Sequence, residues 1–434
     1  MNTSSNTSTA PILDPTFGPD ETGITWLHYP DGVSGIAGGM SVAPDNKILI
    51  AARRGTEFSL SRLNADGRQD DSFGNQGTVT GGFAPGFRST GKNVHVLSDR
   101  NILLEGWFEL EEYGAPQERG LALFDDKGVL VKSFGNGGVT VIHPLSTPQY
   151  GLSEEEIKRK GPAASSQRGN TIELPDGKLM VLSYHRYSYY DEVGVLMRLN
   201  KNGSLDTTFA DGKGYILIQY LANSTWAGSL IALKDGTFAV AGSAYIEEKT
   251  FAMMARFDTQ GSPIKDFGVN GYITFDFEGE LDQLTDLIEM PDKSIIGVGS
   301  SYLNVVCRSV LVCVDAQGKA VPTFNRGKPV FTTYPQATGG IQWSGAVLRT
   351  GGRILTVGNP LREANSQIVL AQFKADGTLD AAFGNQGLLI LDLTDHLDIA
   401  EAVAIQLNQI IVAGNALSSL TVPRNFALRC SPLY

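Results

Sequence analysis

The residues best equipped for chemistry in this chain are aromatic and acidic, and they are unevenly placed. The segment Tyr184 to Glu192 (YHRYSYYDE) holds Tyr184, Tyr187, Tyr189 and Tyr190 within seven residues, and Trp107, Trp226 and Trp343 stand in segments of similar character. Rings mixed with carboxylates suit a sugar, whose C–H faces stack on the rings while its hydroxyls bond the carboxylates, and they suit a protein partner equally well. The alternative for Trp226 and Trp343 is packing at loop bases, because large aromatics are mostly buried. Four tyrosines in one connection are harder to bury, so ligand or partner contact is expected there.

Hydrolytic or eliminative chemistry needs paired carboxylates or a nucleophile with its base. Asp276, Glu278, Glu280, Asp282 and Asp286 form one acidic group, and Asp392, Asp395 and Asp398 another. With 46 acids in the chain, two such groups arise without design, and a solvated rim is the simpler expectation. Of the five histidines, His28, His143, His185 and His396 fall in loops of one kind, but at unmatched positions in the repeat described below, so no metal site is expected. NADGRQDD (Asn64 to Asp71) and KADGTLD (Lys374 to Asp380) offer oxygens at alternate positions, as a calcium loop does. Sibling copies carry Lys or Gln there (NKNG at Asn200, DTQG at Asp258), so turn formation is the expected role. Cys307, Cys313 and Cys430 make neither a disulfide framework nor a CxxC pair. No GxSxG, HExxH or phosphate-binding glycine motif is present. No catalytic residue and no cofactor are assigned.

Composition narrows the partners. A formal charge of −11 argues against nucleic acid, whose phosphates demand clustered Lys and Arg. No run approaches the ~18 apolar residues of a membrane helix. The first ten residues (MNTSSNTSTA) lack the basic and apolar regions of a secretory signal, so a cytoplasmic location is the default expectation, with non-classical export as the alternative. Residues 1–12 read as a disordered tail and 13–434 as a single domain.

The elements that must position these residues announce themselves by repetition. A Phe followed by Gly or another small residue recurs at Phe17, Phe73, Phe134, Phe209, Phe267, Phe324 and Phe383, a mean spacing of about 61 residues. After each comes a β-rich run such as Tyr215 to Tyr220 (YILIQY), then one richer in small residues such as Ala402 to Leu407 (AVAIQL). A tight turn such as PDGK at Pro175 follows. A third run ends in a small residue (TFAVAG, Thr237 to Gly242), and a fourth leads into a DG, NG or QG turn. Runs of 5–8 β-branched or aromatic residues bounded by Gly, Pro, Asn and Asp are strands. One long gap carries an insertion, 151–169, expected between strands of the second blade. There Ser153 as N-cap, Glu156, and Lys158 to Lys160 near the C-terminus read as a short helix.

RLNKNGSLDTTF (Arg198 to Phe209), FKADGTLDAAFGNQG (Phe373 to Gly387) and PDGKLMVL (Pro175 to Leu182) closely resemble the bacterial delta-60 repeat family, over roughly Leu13 to Cys430. The resemblance implies a β-propeller and carries no catalytic residue set. Ala210 and Asn325 depart from the motif by lacking its glycine.

Four antiparallel strands in each of seven copies predict an all-β, seven-bladed β-propeller. The last run, Asn425 to Cys430 (NFALRC), lacks its continuation, and the chain begins with that piece, Leu13 to Gly18 (LDPTFG), so the N-terminal segment is expected to close the ring. Alternation places the PDGK-type turns and the DG…FG connections on one face and the variable loops on the other, where function concentrates. The expected function is non-enzymatic recognition of a glycan or protein partner through Trp107, Tyr184, Tyr187, Tyr189, Tyr190, Trp226 and Trp343. The alternative is a hydrolase or lyase acting on a saccharide or small molecule at the channel mouth, and a third reading is a component of a larger secreted or surface assembly.

Overall fold

The computed structural model describes residues 12–29, 31–109, 118–142, 169–188, 191–334, 337–363, 365–417 and 423–431, with 186–188 and 191 described by their backbone alone. Among the described residues there are 28 strands. Strand β1 (Ile24–Trp26) pairs antiparallel with the last strand, and the chain then runs through successive four-strand meanders. The first is β2 (Gly35–Val42), β3 (Ile48–Arg54), β4 (Glu57–Leu63) and β5 (Thr78–Gly81); the second is β6 (Arg88–Val96), β7 (Ile102–Glu109), β8 (Glu118–Phe124) and β9 (Val139–Ile142). Next come β10 (Thr171–Glu173), β11 (Leu179–Ser188), β12 (Asp191–Leu199) and β13 (Tyr215–Ile218), then β14 (Thr225–Ala232), β15 (Phe238–Ile246), β16 (Lys249–Phe257) and β17 (Tyr272–Phe275). The remainder are β18 (Leu281–Glu289), β19 (Ile295–Leu303), β20 (Val306–Val314) and β21 (Val330–Thr332), β22 (Ile341–Arg349), β23 (Arg353–Pro360), β24 (Ile368–Phe373) and β25 (Leu388–Leu391), and finally β26 (Asp398–Gln406), β27 (Gln409–Leu417) and β28 (Pro423–Arg429).

The sheet pairing corrects the expected blade count. Five four-stranded sheets stand as separate blades, not seven, and β14 to β21 form one eight-stranded sheet because β16 and β18 pair in parallel at Thr250 and Leu281. The expectation that the N-terminal segment closes a ring of seven gives way to a narrower finding: β1 is the fourth strand of the β26–β28 sheet, with Ile24, Thr25 and Trp26 opposite Leu428, Ala427 and Phe426. Each sheet is also out of phase with the sequence repeat, since its outer strand is the first run of the next copy.

The repeated motif residues explain themselves by packing. All seven motif phenylalanines are essentially inaccessible to solvent. Each of the first six lies against the turn glycine of the next copy; a Cβ on Gly67 would stand 2.7 Å from the Phe17 ring, and Gly67 has φ +85°, which favours glycine. Arg62 crosses the following seam, where Phe73 meets Gly128: its Nε donates to Asp70 (2.7 Å), its Nη1 to the Asp126 carbonyl, and its guanidinium lies 4.4 Å from the Phe73 centroid. Arg198 repeats this with Asp206, Thr259 and Phe209, and Arg429 with Asp14, Ala65 and Phe17. At Asp70 and Asp206 burial raises the carboxyl pKa, but the Lys47 and Lys178 hydrogen bonds, with the Arg partners, outweigh it and hold both well below the usual range. Asp66 and Asp376, in the calcium-like segments, accept the backbone N–H two residues on and so cap turns.

On the first strand of six of the meanders, two of them within the eight-stranded sheet, a β-bulge falls at one place, with extra residues Gly38, Lys92, Gly228, Thr285, Ser344 and Glu401. The bulge presses a carbonyl toward the second strand, so a Cβ on Gly242 would collide with the Trp226 oxygen, and one on Gly414 with that of Ile399. The glycine ending the third run follows from this contact.

Candidate functional site

The bulges place polar side chains where first strands of neighbouring sheets meet. Ser229 donates to Asp286 Oδ1 (3.3 Å), and Asp286 Oδ2 accepts the N–H of Ala346 on β22 (3.1 Å). Asn170 both donates to the Leu230 carbonyl and accepts the Leu230 N–H. Lys92 on β6 reaches Glu401 on β26 at 3.2 Å, passing in front of Gly38 on the intervening β2. A pair joining two strands that flank a third lies on the axis side of the sheets.

The densest group lies between the β6–β9 and β10–β13 sheets. Glu105 on β7 is fully buried. Its Oε1 accepts from Asn93 Nδ2 (2.6 Å) and lies 3.4 Å from His95 Nε2; its Oε2 accepts from Arg119 Nη1 (3.2 Å) and from the Thr171 hydroxyl. Burial pushes the carboxyl pKa up, but His95, Arg119 and Thr171 together prevail and bring it down to about 2. The acid is therefore ionised across the ordinary pH range. His95 is one-third exposed, so the group has one face toward water. Sequence reasoning passed over Glu105 and His95. The signal was present: sibling third runs carry Ala51, Leu182, Ala241, Val298, Val357 and Ala413 where this one carries a carboxylate.

The expected aromatic set is spread over four sheets. Trp343, in β22, is only 1% exposed and packs in the core, so it is no surface platform. Trp226 is half-buried at the start of β14, its ring edge-on to Tyr245 at 6.3 Å. Trp107 is half-buried on β7, opposite Arg119 of β8, and Tyr184 is half-buried on β11. Tyr187 lies on β11 with only its backbone described, and Tyr189 and Tyr190 lie outside the described residues, as do His143 and all of the 151–169 insertion but Gly169. Of the other histidines, His185 is buried on β11; His28 is exposed, its carbonyl accepting from Gln69, and His396 is half-buried beside Thr394.

The acidic groups divide, which corrects their reading as a solvated rim. Asp282 and Asp398 are fully buried loop clamps. Asp282 accepts the Phe277 N–H (2.7 Å), and Asp398 accepts the N–H groups of Leu393 and Thr394 and the Thr394 hydroxyl. Burial raises both carboxyl pKa values. Asp276 pairs with Lys249 (2.6 Å), while Glu278 and Glu280 are exposed.

A family model described as Domain of unknown function (DUF5122) beta-propeller matches residues 43–73, 174–209 and 352–383, each segment ending on a motif phenylalanine. The chain is a β-propeller. No curated protein sequence matches it. Among solved structures, a catalytically inactive virginiamycin B lyase from Staphylococcus aureus with quinupristin aligns with TM-score 0.50 and 9% identity, covering 93% of this chain and 98% of that one. A polysaccharide lyase bound to a GlcA(1-4)Rha3S unit, an ulvan lyase, aligns with TM-score 0.50 and 8% identity, covering 92% of this chain and 94% of that one. At such identity the likeness is one of fold alone.

Proposed function

We propose that this propeller, a relative of the delta-60 repeat proteins, is a non-enzymatic recognition module that engages a glycan or protein partner through its variable loop face. The supporting observation is how the two faces are used. The turn face is occupied by the Phe, Gly, Arg and Asp contacts between sheets, whereas the loop face carries Trp226 and Tyr245 together with exposed apolar side chains on neighbouring hairpins. The test is a glycan array run beside a peptide-display selection on the full chain, repeated with Trp226→Ala and Tyr187→Ala. The expected result is a saturable ligand whose affinity falls at least tenfold in one of these variants while circular dichroism stays unchanged.

A second reading, a lyase or hydrolase acting on a saccharide or small molecule at the channel mouth, is favoured by one observation: the partly exposed His95 against the ionised, buried Glu105, the arrangement that orients a general base. Release of an unsaturated product from a polysaccharide, abolished by His95→Ala, would replace the first reading with this one.

A further inference from the structure

The loop-face edge where β16 meets β18 has a character of its own. The parallel pairing of Thr250 with Leu281 joins two meanders into one continuous sheet there. On it stand exposed Tyr245 (42%), Leu281, Leu303, Val305 (59%) and Val306. Their backbone is tied together: Leu281 lies opposite Tyr302, Leu303 opposite Val306, and Ile246 opposite Lys249.

Two hairpin tips flank this edge, Glu247–Glu248 and Asn304–Val305, all four residues at positive φ. Asn tolerates that conformation and Gly prefers it, whereas Val305, at φ +66°, is a β-branched residue where branching is penalised. The side chain is thus kept against backbone preference and against water. Around the apolar edge, Glu247, Glu248, Glu278 and Glu280 are exposed and form no ion pair among the described residues. The neighbouring cations are engaged: Lys249 by Asp276, and Arg308 by the Phe277 carbonyl and Ser301 Oγ. The edge is therefore apolar at its centre and negative at its margin.

We propose that this edge docks a polypeptide segment carrying Lys or Arg beside aliphatic or aromatic residues. The proposal rests on the recognition reading above and narrows it to one partner chemistry. Charge complementarity selects it: a second copy of a chain with net charge −11 would set acids against acids in a twofold contact, and a sugar gains nothing from Leu and Val surfaces that offer no ring face.

The test is a library of random linear peptides panned on the immobilised full chain. Enriched peptides should pair basic with apolar residues. A synthetic representative should bind at least tenfold more weakly to Val305→Gly and to the Glu247→Lys/Glu248→Lys double variant, and more weakly as added salt shortens the Debye length from roughly 30 to 3 Å. Val305→Gly relieves the strained φ, so its melting temperature should not fall, which separates lost contact from lost fold. Peptides without basic residues, or binding indifferent to both variants, would overturn the docking edge and leave the recognition reading standing. So would glycan binding with no peptide enriched. A dimer that dissociates in Val305→Gly would overturn it in favour of a second copy. No ligand in either screen would defeat both.

Discussion

Glu105 shows what one residue can do inside a repeat. Six sibling positions are apolar and buried, so the carboxylate is a local exception that must be compensated where it stands. Arg119, Asn93, Thr171 and His95 compensate it. Removing the charge takes the buried carboxylate away from the Arg119 guanidinium, and Glu105→Gln should cost about 3–5 kcal/mol, measured by urea unfolding at neutral pH. The folded pKa, about 2, lies below the 4.5 of an unperturbed glutamate, so this contribution is complete above about pH 4.5 and disappears as pH falls toward 2. Wild type should lose its advantage over Glu105→Gln within that window; an advantage that persisted to pH 2 would show that the carboxylate adds nothing to folding.

At the scale of the element, the strands and turns were legible because each run alternates or stays apolar between Asp-Gly and Pro-Asp turns, and every such run became a strand. Trp343 was misplaced because its segment reads as a loop, whereas it is the third residue of β22 and faces the core. Asp282 and Asp398 looked like rim acids because sequence shows charge but not the loop that folds over it. The weld at Thr250 and Leu281 had no signature at all, since one backbone bridge leaves no side-chain pattern. Glycine at the end of the third run was visible as a habit, and its cause is the bulge beneath it. Gly242→Ala should therefore lower stability by about 1–3 kcal/mol, the cost of shifting the first strand away, rather than the small change of an open strand position. Ala52, at the matching place in the β2–β5 sheet, shows that a sheet can be built around such a Cβ. A Gly242→Ala variant melting like wild type would mean that the bulge yields freely.

Across the whole molecule, the two chain ends support each other. Asp14 accepts from Arg429 and Gln409, Thr25 donates to the Gly67 carbonyl, and β1 covers one edge of β28. Hydrogen bonding from Gln409 and Thr16, together with the Arg429 charge, outweighs burial and lowers the Asp14 pKa. Deleting residues 1–27 should lower the melting temperature by several degrees and open the β28 edge to aggregation. Unchanged melting and solubility would show that β1 is dispensable.

The stagger between repeat and sheet also bears on how such a chain can change its length. At six seams one sixty-residue unit contributes the phenylalanine and the next contributes the glycine that seats it. A unit duplicated or deleted between two successive turns of this kind, such as PDGK at Pro175 and KDGT at Lys234, therefore carries a matching plug and socket at its own borders. Recombination at those turns preserves every seam, so gene duplication can add or remove blades without inventing a new interface.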